Sequence, residues 1–353
     1  MTLDDVLRKN EQLRNIHAGK RCFLVGNGPS LNSQDLKLLK DEVAIVATSF
    51  FRHPDAKVIN PSYWVFADPY FWQEPEKHFM PAMNQAIQKG VATKLFVPTG
   101  GFPFFSAFNA GPLIDLHFYH YDQSRESVAP IDFSQGIPQY GQNVMTVCLM
   151  LALYLQCNPI YFIGCDRDYT RVTKEEYEDA SIIHFYSEGV NKFSSYMPWE
   201  QWDAAMKRTN YEYDKLRAYG DRWGFDIYNA TAGGCFDVFP RVQYESLFAR
   251  SVDLIGKKAQ TEDITDIIVL GRSAVKLMNE GAAGSSLEIL KAALRRNLNT
   301  RNKIDGLEYL MALCLSKLGV YDRAMIYARE DLTRNSGNQE KTMLLIKQLG
   351  RYI

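Results

Sequence analysis

Residues 141–169, GQNVMTVCLMLALYLQCNPIYFIGCDRDY, constrain the fold of this chain more than any other segment. The first part is apolar on nearly every side over the length of a helix, and the second is a short β-forming run that ends at Gly164. A helix that is apolar all round has to be covered by other elements. The segment therefore predicts a helix, capped near Gln142 or Asn143, that packs on a sheet and leads into a parallel strand.

Further apolar runs predict the rest of that sheet. Strands are expected at residues 21–26, 43–51, 63–68, 94–99 and 225–231. Their spacing suits the αβ units of a parallel sheet. Residues 100–141 are rich in Gly, Phe, Pro and His without a clear period, and we expect loops at a ligand cleft there. The pattern predicts a Rossmann-like α/β domain with a mainly parallel sheet and helices on both faces.

The chain has 353 residues, which favours two domains. We expect an N-terminal helix over 1–20 and a Rossmann-like catalytic domain over 21–255, in which 171–199 form an excursion or lid. From 262 to 353 the pattern predicts helices without strands, and Gly319, Tyr321 and Ala324 match the G-x-Y-x-x-A seam of a tetratricopeptide-like hairpin. Because so few repeats are marginally stable alone, we expect this TPR-like region to dock on the catalytic domain or on a partner.

Composition excludes several classes of function. The formal net charge of −1 gives no basic footprint of a nucleic-acid-binding protein. The apolar runs are shorter than the ~20 residues of a transmembrane helix, and the first residues lack the apolar core of a secretory signal. We expect a cytoplasmic protein, with peripheral attachment at the inner face of the plasma membrane left open. The six cysteines form no CxxC pair, which predicts buried, reduced and structural thiols.

The first predicted strand is followed by the turn Gly26-Asn27-Gly28-Pro29-Ser30. Glycines without a Cβ let the backbone approach a phosphate, and the amides of a following helix, capped at Asn32 or Ser33, would attract the anion. The turn is neither G-x-G-x-x-G nor a P-loop, which argues against a dinucleotide enzyme or an ordinary ATPase. We predict a phosphate-binding turn, with a purely structural turn as the alternative.

GNGPSLN after an apolar strand, with IYFIGCDRDY beyond a helix, resembles two related families. One is the bacterial CMP-sialic-acid-dependent sialyltransferases. The other is the motility accessory factor and 6-hydroxymethylpterin diphosphokinase-like (MptE-like) family, whose glycosyltransferase members attach nonulosonic acids. VFADPYFWQE resembles the first family, and NATAGGCFDVFPRVQYESL resembles the ending of the accessory factors. The motifs span residues 20–247, and the resemblance implies a GT-A-variant, sialyltransferase-like fold.

The resemblance also implies site residues. Those of the nucleotide are Gly26, Asn27, Gly28, Pro29, Ser30, Thr48, Ser49, Asp68, Asn143, Gly164 and Asp166. His184 corresponds to the sialyltransferase base. Tyr169 and Tyr186 are the candidates to assist departure of the phosphate. The sialyltransferases have Asn where this chain has Thr48 or Ser49, and this departure leaves the donor sugar open.

The function implied is a glycosyltransferase that moves a CMP-activated sugar, a nonulosonic acid such as sialic acid or a Kdo-like sugar, to a surface glycan or protein. No cofactor is required, because a monophosphate leaving group carries less charge than a diphosphate. Mg²⁺ or Mn²⁺ is optional, with Asp166 and Asp168 as its ligands. His117 and His120 are interpreted as packing residues.

Two alternatives remain open. An ATP-dependent pyrophosphokinase acting on a pterin alcohol would need Mg²⁺ at Asp68, Asp166 and Asp168. A non-catalytic scaffold would keep a vestigial nucleotide fold and bind a protein partner through the helical tail. Homo-oligomer formation also remains open.

Overall fold

The structure is a computed structural model that describes residues 3–109, 111–122, 131–138, 143–181, 183–186, 192, 194, 197–248, 264–298, 306–333 and 339–351. The chain divides into two compact units. The first comprises Met1–Tyr213 and Asp226–Arg250, and the second comprises Asp214–Phe225 and Ser251–Ile353. The predicted domain limits at residues 255 and 262 lie outside the described residues.

A seven-stranded sheet forms the centre of the first unit, with the strand order β5-β4-β3-β2-β1-β8-β9 and every pairing parallel. Two further short strands, β6 and β7, pair with each other. The predicted α/β class with a mainly parallel sheet is confirmed. The strands are β1 Cys22–Val25, β2 Val43–Ala47, β3 Tyr63–Val65, β4 Thr93–Pro98, β5 Ile114–Tyr119, β6 Tyr121–Asp122, β7 Ile137–Pro138, β8 Ile160–Ile163 and β9 Ile227–Asn229.

Helices connect most of these strands and predominate among the described residues of the second unit. The α-helices of the described residues are α1 Leu3–Arg8, α2 Ala56–Ile59, α3 Tyr70–Gln73, α4 Phe79–Lys89, α5 Phe102–Ala107, α6 Val144–Tyr154, α7 Trp199–Trp223, α8 Ile264–Asn279, α9 Ala283–Leu298, α10 Leu307–Lys317, α11 Tyr321–Thr333 and α12 Gln339–Leu349. Short 3-10 helices lie at Lys9–Leu13, Pro29–Ser33, Leu36–Leu39, Thr48–Arg52, Thr99–Gly101, Asp168–Arg171 and Glu245–Leu247.

The apolar helix predicted before β8 is α6, and its side chains from Met145 to Tyr154 are buried. Asn143 caps it, since the Asn143 side chain accepts a hydrogen bond of 2.8 Å from the Met145 backbone N–H. Gln142, the other predicted cap, lies outside the described residues. The helix packs against β1, β2 and β3, which supply the cover that its composition requires.

Two sequence predictions are wrong. The segment after β1 is not an α-helix capped at Asn32 or Ser33, because it consists of two 3-10 helices, Pro29–Ser33 and Leu36–Leu39. Local side-chain bonds compete with the helical ladder here: the Ser33 hydroxyl donates to the Ser30 carbonyl across 2.8 Å.

The second error concerns residues 100–141, expected to be loops, which contain α5 and the edge strand β5. His117 lies in β5 and is fully buried, in keeping with a packing role. Its ring stacks on Phe96, and its Nδ1 lies 2.8 Å from Asn10 Oδ1. Burial lowers the pKa of His117 to about 4, so the ring is neutral at physiological pH.

The second unit is helical, as predicted. From α8 to α12 each helix packs on the next, and Gly319 forms the left-handed turn between α10 and α11 with a φ of 73°. Ala324 of the predicted TPR-like seam is fully buried. Within the part of the chain that the structure describes, no helix combines the length and apolar character needed to span a bilayer.

Candidate functional site

The candidate site lies where the carboxyl ends of β1, β2, β3 and β8 meet. From β1 the chain proceeds outward through β2 to β5, and it then returns to place β8 on the other side of β1. In open α/β sheets, ligands bind outside the carboxyl ends of the strands at such a topological switch point. A cavity of about 270 Å³ lies here.

Most of the predicted site residues line this cavity. They are Gly26, Asn27, Gly28, Pro29, Thr48, Asp68, Asn143, Gly164, Asp166, Asp168, Tyr169 and His184. Ser30, Ser49 and Tyr186 are not among its lining residues. The structure thus brings together residues from six separate segments of the sequence, while their individual roles stay predictions.

The glycines of the β1 turn approach the end of β8 closely. The Gly26 N–H donates to the Ile163 carbonyl across 2.9 Å, and the Gly28 N–H donates to the Gly164 carbonyl across 2.8 Å. A Cβ on Gly28 would lie 2.7 Å from the Gly164 oxygen and would overlap the Asp166 carboxylate. Both amides therefore donate within the protein, and the close contact between the two strand ends requires the glycines.

Ser30 and Asp166 join the same two strand ends. The Ser30 hydroxyl donates to Asp166 Oδ2 across 2.7 Å, and the Ser30 backbone N–H donates to Oδ1 across 3.2 Å. Burial raises the pKa of Asp166, and the two bonds from Ser30 oppose that rise. Both residues are buried, so Ser30 acts on the cavity through Asp166.

Asn27 and Thr48 form the wall toward β2. Asn27 Nδ2 donates to Thr48 Oγ1 across 2.7 Å and to the Ala47 carbonyl across 3.3 Å, whereas the buried Asn27 Oδ1 has no hydrogen-bond partner. Thr48 has a φ of 36°, which is strained for a β-branched residue. Its carbonyl accepts a bond of 2.7 Å from Trp64 Nε1. The fold thus fixes the wall and leaves one amide oxygen able to accept from a ligand.

Asp68 follows β3 and lines the cavity, to which it is partly exposed. Desolvation by the surrounding protein raises the pKa of its carboxyl group from 3.8 to about 6. A carboxylate with such a pKa exchanges a proton near neutral pH, which is a common property of acid–base groups in active sites.

The amino terminus of α6 forms another part of the wall. Asn143, Val144 and Met145 line the cavity there. The free N–H groups and the dipole of an α-helix favour negative charge at this end. This end of α6 therefore favours an anionic group in the cavity.

The segment of residues 183–186 covers the cavity from the side of the β1 turn. The Phe185 N–H donates to the Asn27 carbonyl across 3.0 Å, and Asn32 Nδ2 donates to the Phe185 carbonyl, also across 3.0 Å. These bonds hold His184 at the cavity. Tyr186 stacks on His184, with ring centroids 5.0 Å apart, and the Arg52 guanidinium lies over the Tyr186 ring. Other parts of the predicted lid lie outside the described residues.

Several lining residues had no role in the predicted site, among them Tyr70, Arg167 and Ile183. Tyr70 and Ile183 are exposed apolar side chains beside the cavity, with exposed fractions of 43% and 69%. Arg167 is buried. Its position between two aspartates at a strand end is visible in the sequence, but its burial is not.

The predicted metal ligands are arranged differently from a metal centre. Asp166 accepts two bonds from Ser30, and Asp168 is exposed. Among the residues that the structure describes, no group of three or more His, Cys, Asp or Glu side chains could hold a metal ion. The residues present do not fit a preformed site at Asp68, Asp166 and Asp168.

The parallel sheet and the cavity at its switch point define an α/β protein with a Rossmann-like nucleotide fold. Residues 2–172 match the family model described as 6-hydroxymethylpterin diphosphokinase MptE-like. Over these residues, just under half of the chain, the protein is similar to that family, which its motifs also resemble. The match extends from the amino terminus past β8 and so includes both GNGPS and GCDRDY. Comparisons with curated proteins and with solved structures gave no match.

Proposed function

We propose that the protein is a glycosyltransferase that takes a CMP-activated sugar, of the nonulosonic acid type, and transfers it to a hydroxyl of a glycan or protein. The observation that carries the proposal is that Asn27, Asp68, Tyr169 and His184 line one cavity at the switch point of the sheet. They provide a nucleotide contact, two groups able to exchange protons and a phenol in the same place.

His184 acts as the base. It takes the proton of the acceptor hydroxyl as the acceptor oxygen forms its bond to the anomeric carbon of the sugar. The bond between that carbon and the phosphate oxygen breaks, and CMP leaves with the electron pair. Binding energy from the nucleotide positions the sugar for this displacement.

Tyr169 stabilises the departing phosphate. Burial raises the pKa of its phenol, so the group keeps its proton at neutral pH and donates a hydrogen bond to the phosphate oxygen. Asn27 Oδ1, the buried acceptor without a partner, accepts from a ribose hydroxyl or from an amino group of the base.

Asp68 provides a carboxyl group that can exchange a proton near neutral pH, because burial raises its pKa to about 6. In its protonated form it donates a hydrogen bond to the donor sugar.

A second candidate is the pterin diphosphokinase type of reaction, favoured by the description of the matching family. It requires ATP and Mg²⁺ bound by aspartates. The engagement of Asp166 by Ser30 weighs against it, because that carboxylate would have to release two hydrogen bonds to bind a metal ion. The glycosyltransferase proposal makes no such demand.

Calorimetric titration with CMP and with ATP–Mg²⁺ separates the two functions. We expect heat and thermal stabilisation with CMP and none with ATP–Mg²⁺. Binding of ATP–Mg²⁺ together with a pterin alcohol, without any response to CMP, would reject the proposal in favour of the kinase. A protein that responds to neither nucleotide would count against both functions.

Transfer itself is tested with CMP-sialic acid and a panel of glycan acceptors. His184→Ala and Asn27→Ala are each expected to lower the release of CMP by at least about 100-fold. His17→Ala is the matched control, because His17 bonds to Tyr63 at the opposite, amino end of β3. Full activity of His184→Ala would remove His184 from the mechanism.

A further inference from the structure

Arg167 has the features of a ligand-binding arginine. It follows Asp166 directly after β8, lines the cavity and is 6% exposed. Its backbone is left-handed, with a φ of 56° and a ψ of 23°. A residue with a Cβ pays a conformational cost in this region, and such residues concentrate at functional sites.

Neutral groups hold the guanidinium in place. It lies over the rings of Tyr213 and Phe236, with its Cζ 5.0 Å and 5.4 Å from the two centroids. Its Nη2 donates to Asn210 Oδ1 across 2.9 Å, and Tyr169 also bonds to the guanidinium. Aromatic faces and an amide orient a cation, but they do not neutralise it. The Nε of Arg167 is buried and has no hydrogen-bond partner.

The carboxylates of the same turn are directed to other partners. Asp166 accepts both bonds from Ser30, and Asp168 is exposed, so that water screens its charge. Burial of a cation without a neutralising partner is costly. The arrangement is therefore one that an anion in the cavity would stabilise, and the amino terminus of α6 contributes to the same preference.

We propose that Arg167 is the phosphate-binding residue of the site, with its guanidinium donating to the phosphate of the nucleotide donor. The proposal rests on the proposed function for the identity of that donor. The planar fork of an arginine matches two phosphate oxygens, and its fixed orientation over two rings reduces the entropy lost on binding. It also supplies a phosphate contact that the engaged amides of Gly26 and Gly28 do not.

The experiment compares CMP with cytidine, which differ by the phosphate alone. For the wild-type protein we expect CMP to bind about 10- to 100-fold more tightly than cytidine in calorimetry, as for charge-assisted hydrogen bonds to one phosphate. Arg167→Gln should lower the affinity for CMP to that for cytidine and leave the cytidine affinity unchanged. Arg171→Gln is the matched control, since it removes the same charge from an exposed position on the same turn.

Equal affinities of the wild-type protein for CMP and cytidine would overturn the proposal, as would an Arg167→Gln variant that keeps the preference for CMP. If Arg167→Gln does not fold, Arg167→Lys takes its place. Lysine retains the charge without the fork, so the CMP preference should fall by about 3- to 10-fold. An unchanged preference in that variant counts against Arg167.

Nucleotides with a different nucleobase separate a failure of this proposal from a failure of the proposed function. If AMP is preferred over adenosine in an Arg167-dependent way, Arg167 binds phosphate although the donor is not a cytidine nucleotide. If no nucleotide binds, inorganic phosphate is the probe. Thermal stabilisation by phosphate in the wild-type protein that is absent in Arg167→Gln supports the assignment, and equal stabilisation of both proteins overturns it.

Discussion

The hydroxyl of Ser30, just beyond β1, donates to the carboxylate of Asp166, just beyond β8, across 2.7 Å. These strands are neighbours in the sheet but are separated by more than 130 residues of chain. The bond therefore ties the two strand ends together at the switch point and fixes Asp166, which lines the cavity. It explains why the two motifs with family resemblance, GNGPS and GCDRDY, occur together: each provides half of one contact.

Replacement of Ser30 by Ala tests how much this bond contributes to the stability of the fold. The variant removes the hydroxyl donor from the buried Asp166 carboxylate and leaves it with backbone N–H donors, including that of residue 30. We expect the free energy of unfolding to fall by about 1–3 kcal/mol, the usual cost of an unsatisfied buried acceptor. Urea denaturation at pH 7 measures it, and Ser246→Ala, which removes an exposed local bond, is the control. Equal stability of the two variants would contradict the role of the bond.

The close approach at Gly28 predicts a severe effect of a single methyl group. Gly28→Ala places a Cβ 2.7 Å from the Asp166 Cγ and from the Gly164 oxygen, so the two strand ends must separate. We expect destabilisation by about 2–4 kcal/mol and loss of nucleotide binding. Gly284→Ala in α9, where a Cβ meets no atom within 4 Å, should instead be neutral or stabilising. A Gly28→Ala variant with wild-type stability and binding would contradict the observed geometry.

The raised pKa of Asp68 predicts a pH-dependent stability. The folded protein holds the proton of Asp68 up to about pH 6, whereas the unfolded chain releases it near pH 3.8. Folded molecules thus bind more protons in this interval, and Asp68 destabilises the fold increasingly as the pH rises through it. Asp68→Asn removes the charge, so its gain in stability over the wild-type protein should grow from pH 4 to 6 and then level off at about 1–3 kcal/mol.

Denaturation curves at pH 4, 5, 6, 7 and 8 for both proteins measure this difference. Asp168→Asn, which removes an exposed carboxylate from the same cavity, is the control and should show a smaller change. A difference between Asp68→Asn and the wild-type protein that does not vary with pH would show that burial does not shift this group.

The central strands could be predicted from the sequence because both faces of a parallel sheet are covered. Such strands read as continuous apolar runs, as CFLV and VAIVA do, and the all-round apolar α6 had to pack on them. The edge strand β5 was missed, since its Asp115 and His117 are satisfied by contacts with distant residues such as Lys9 and Asn10.

The position of the candidate site was predictable from the sequence, but the contacts within it were not. Turns that end strands can be read from glycines, so Asn27 and Asp166 were placed correctly at the carboxyl edge of the sheet. What a turn contacts depends on which strands become neighbours, and the pairing of β1 with β8 directs the Gly28 amide and Ser30 into the protein. The burial of Arg167 and the desolvation of Asp68 likewise arise from tertiary packing.

In the second unit, the ion pair of Arg323 and Asp221 allows a prediction about stability that does not depend on the proposed function. The Nη2 of Arg323 lies 2.8 Å from Asp221 Oδ2, and the side chains are 6% and 12% exposed. The Asp221 carboxylate also acts on the neighbouring Arg217. Burial and the charge of Arg323 lower the pKa of Arg217, and the charge of Asp221 opposes this decrease. Asp221→Asn therefore leaves the buried Arg323 and the half-buried Arg217 without that carboxylate.

We expect Asp221→Asn to lower the free energy of unfolding by about 3–5 kcal/mol, as for other buried pairs that lose one partner. Arg323→Met leaves Asp221 facing Arg217, so its cost should be smaller than that of Asp221→Asn. In the double variant the loss should be less than the sum of the single losses, because removal of Arg323 relieves the repulsion that the first substitution exposes. Guanidinium denaturation of the four proteins gives this coupling energy, and strictly additive losses would show that the two side chains act independently.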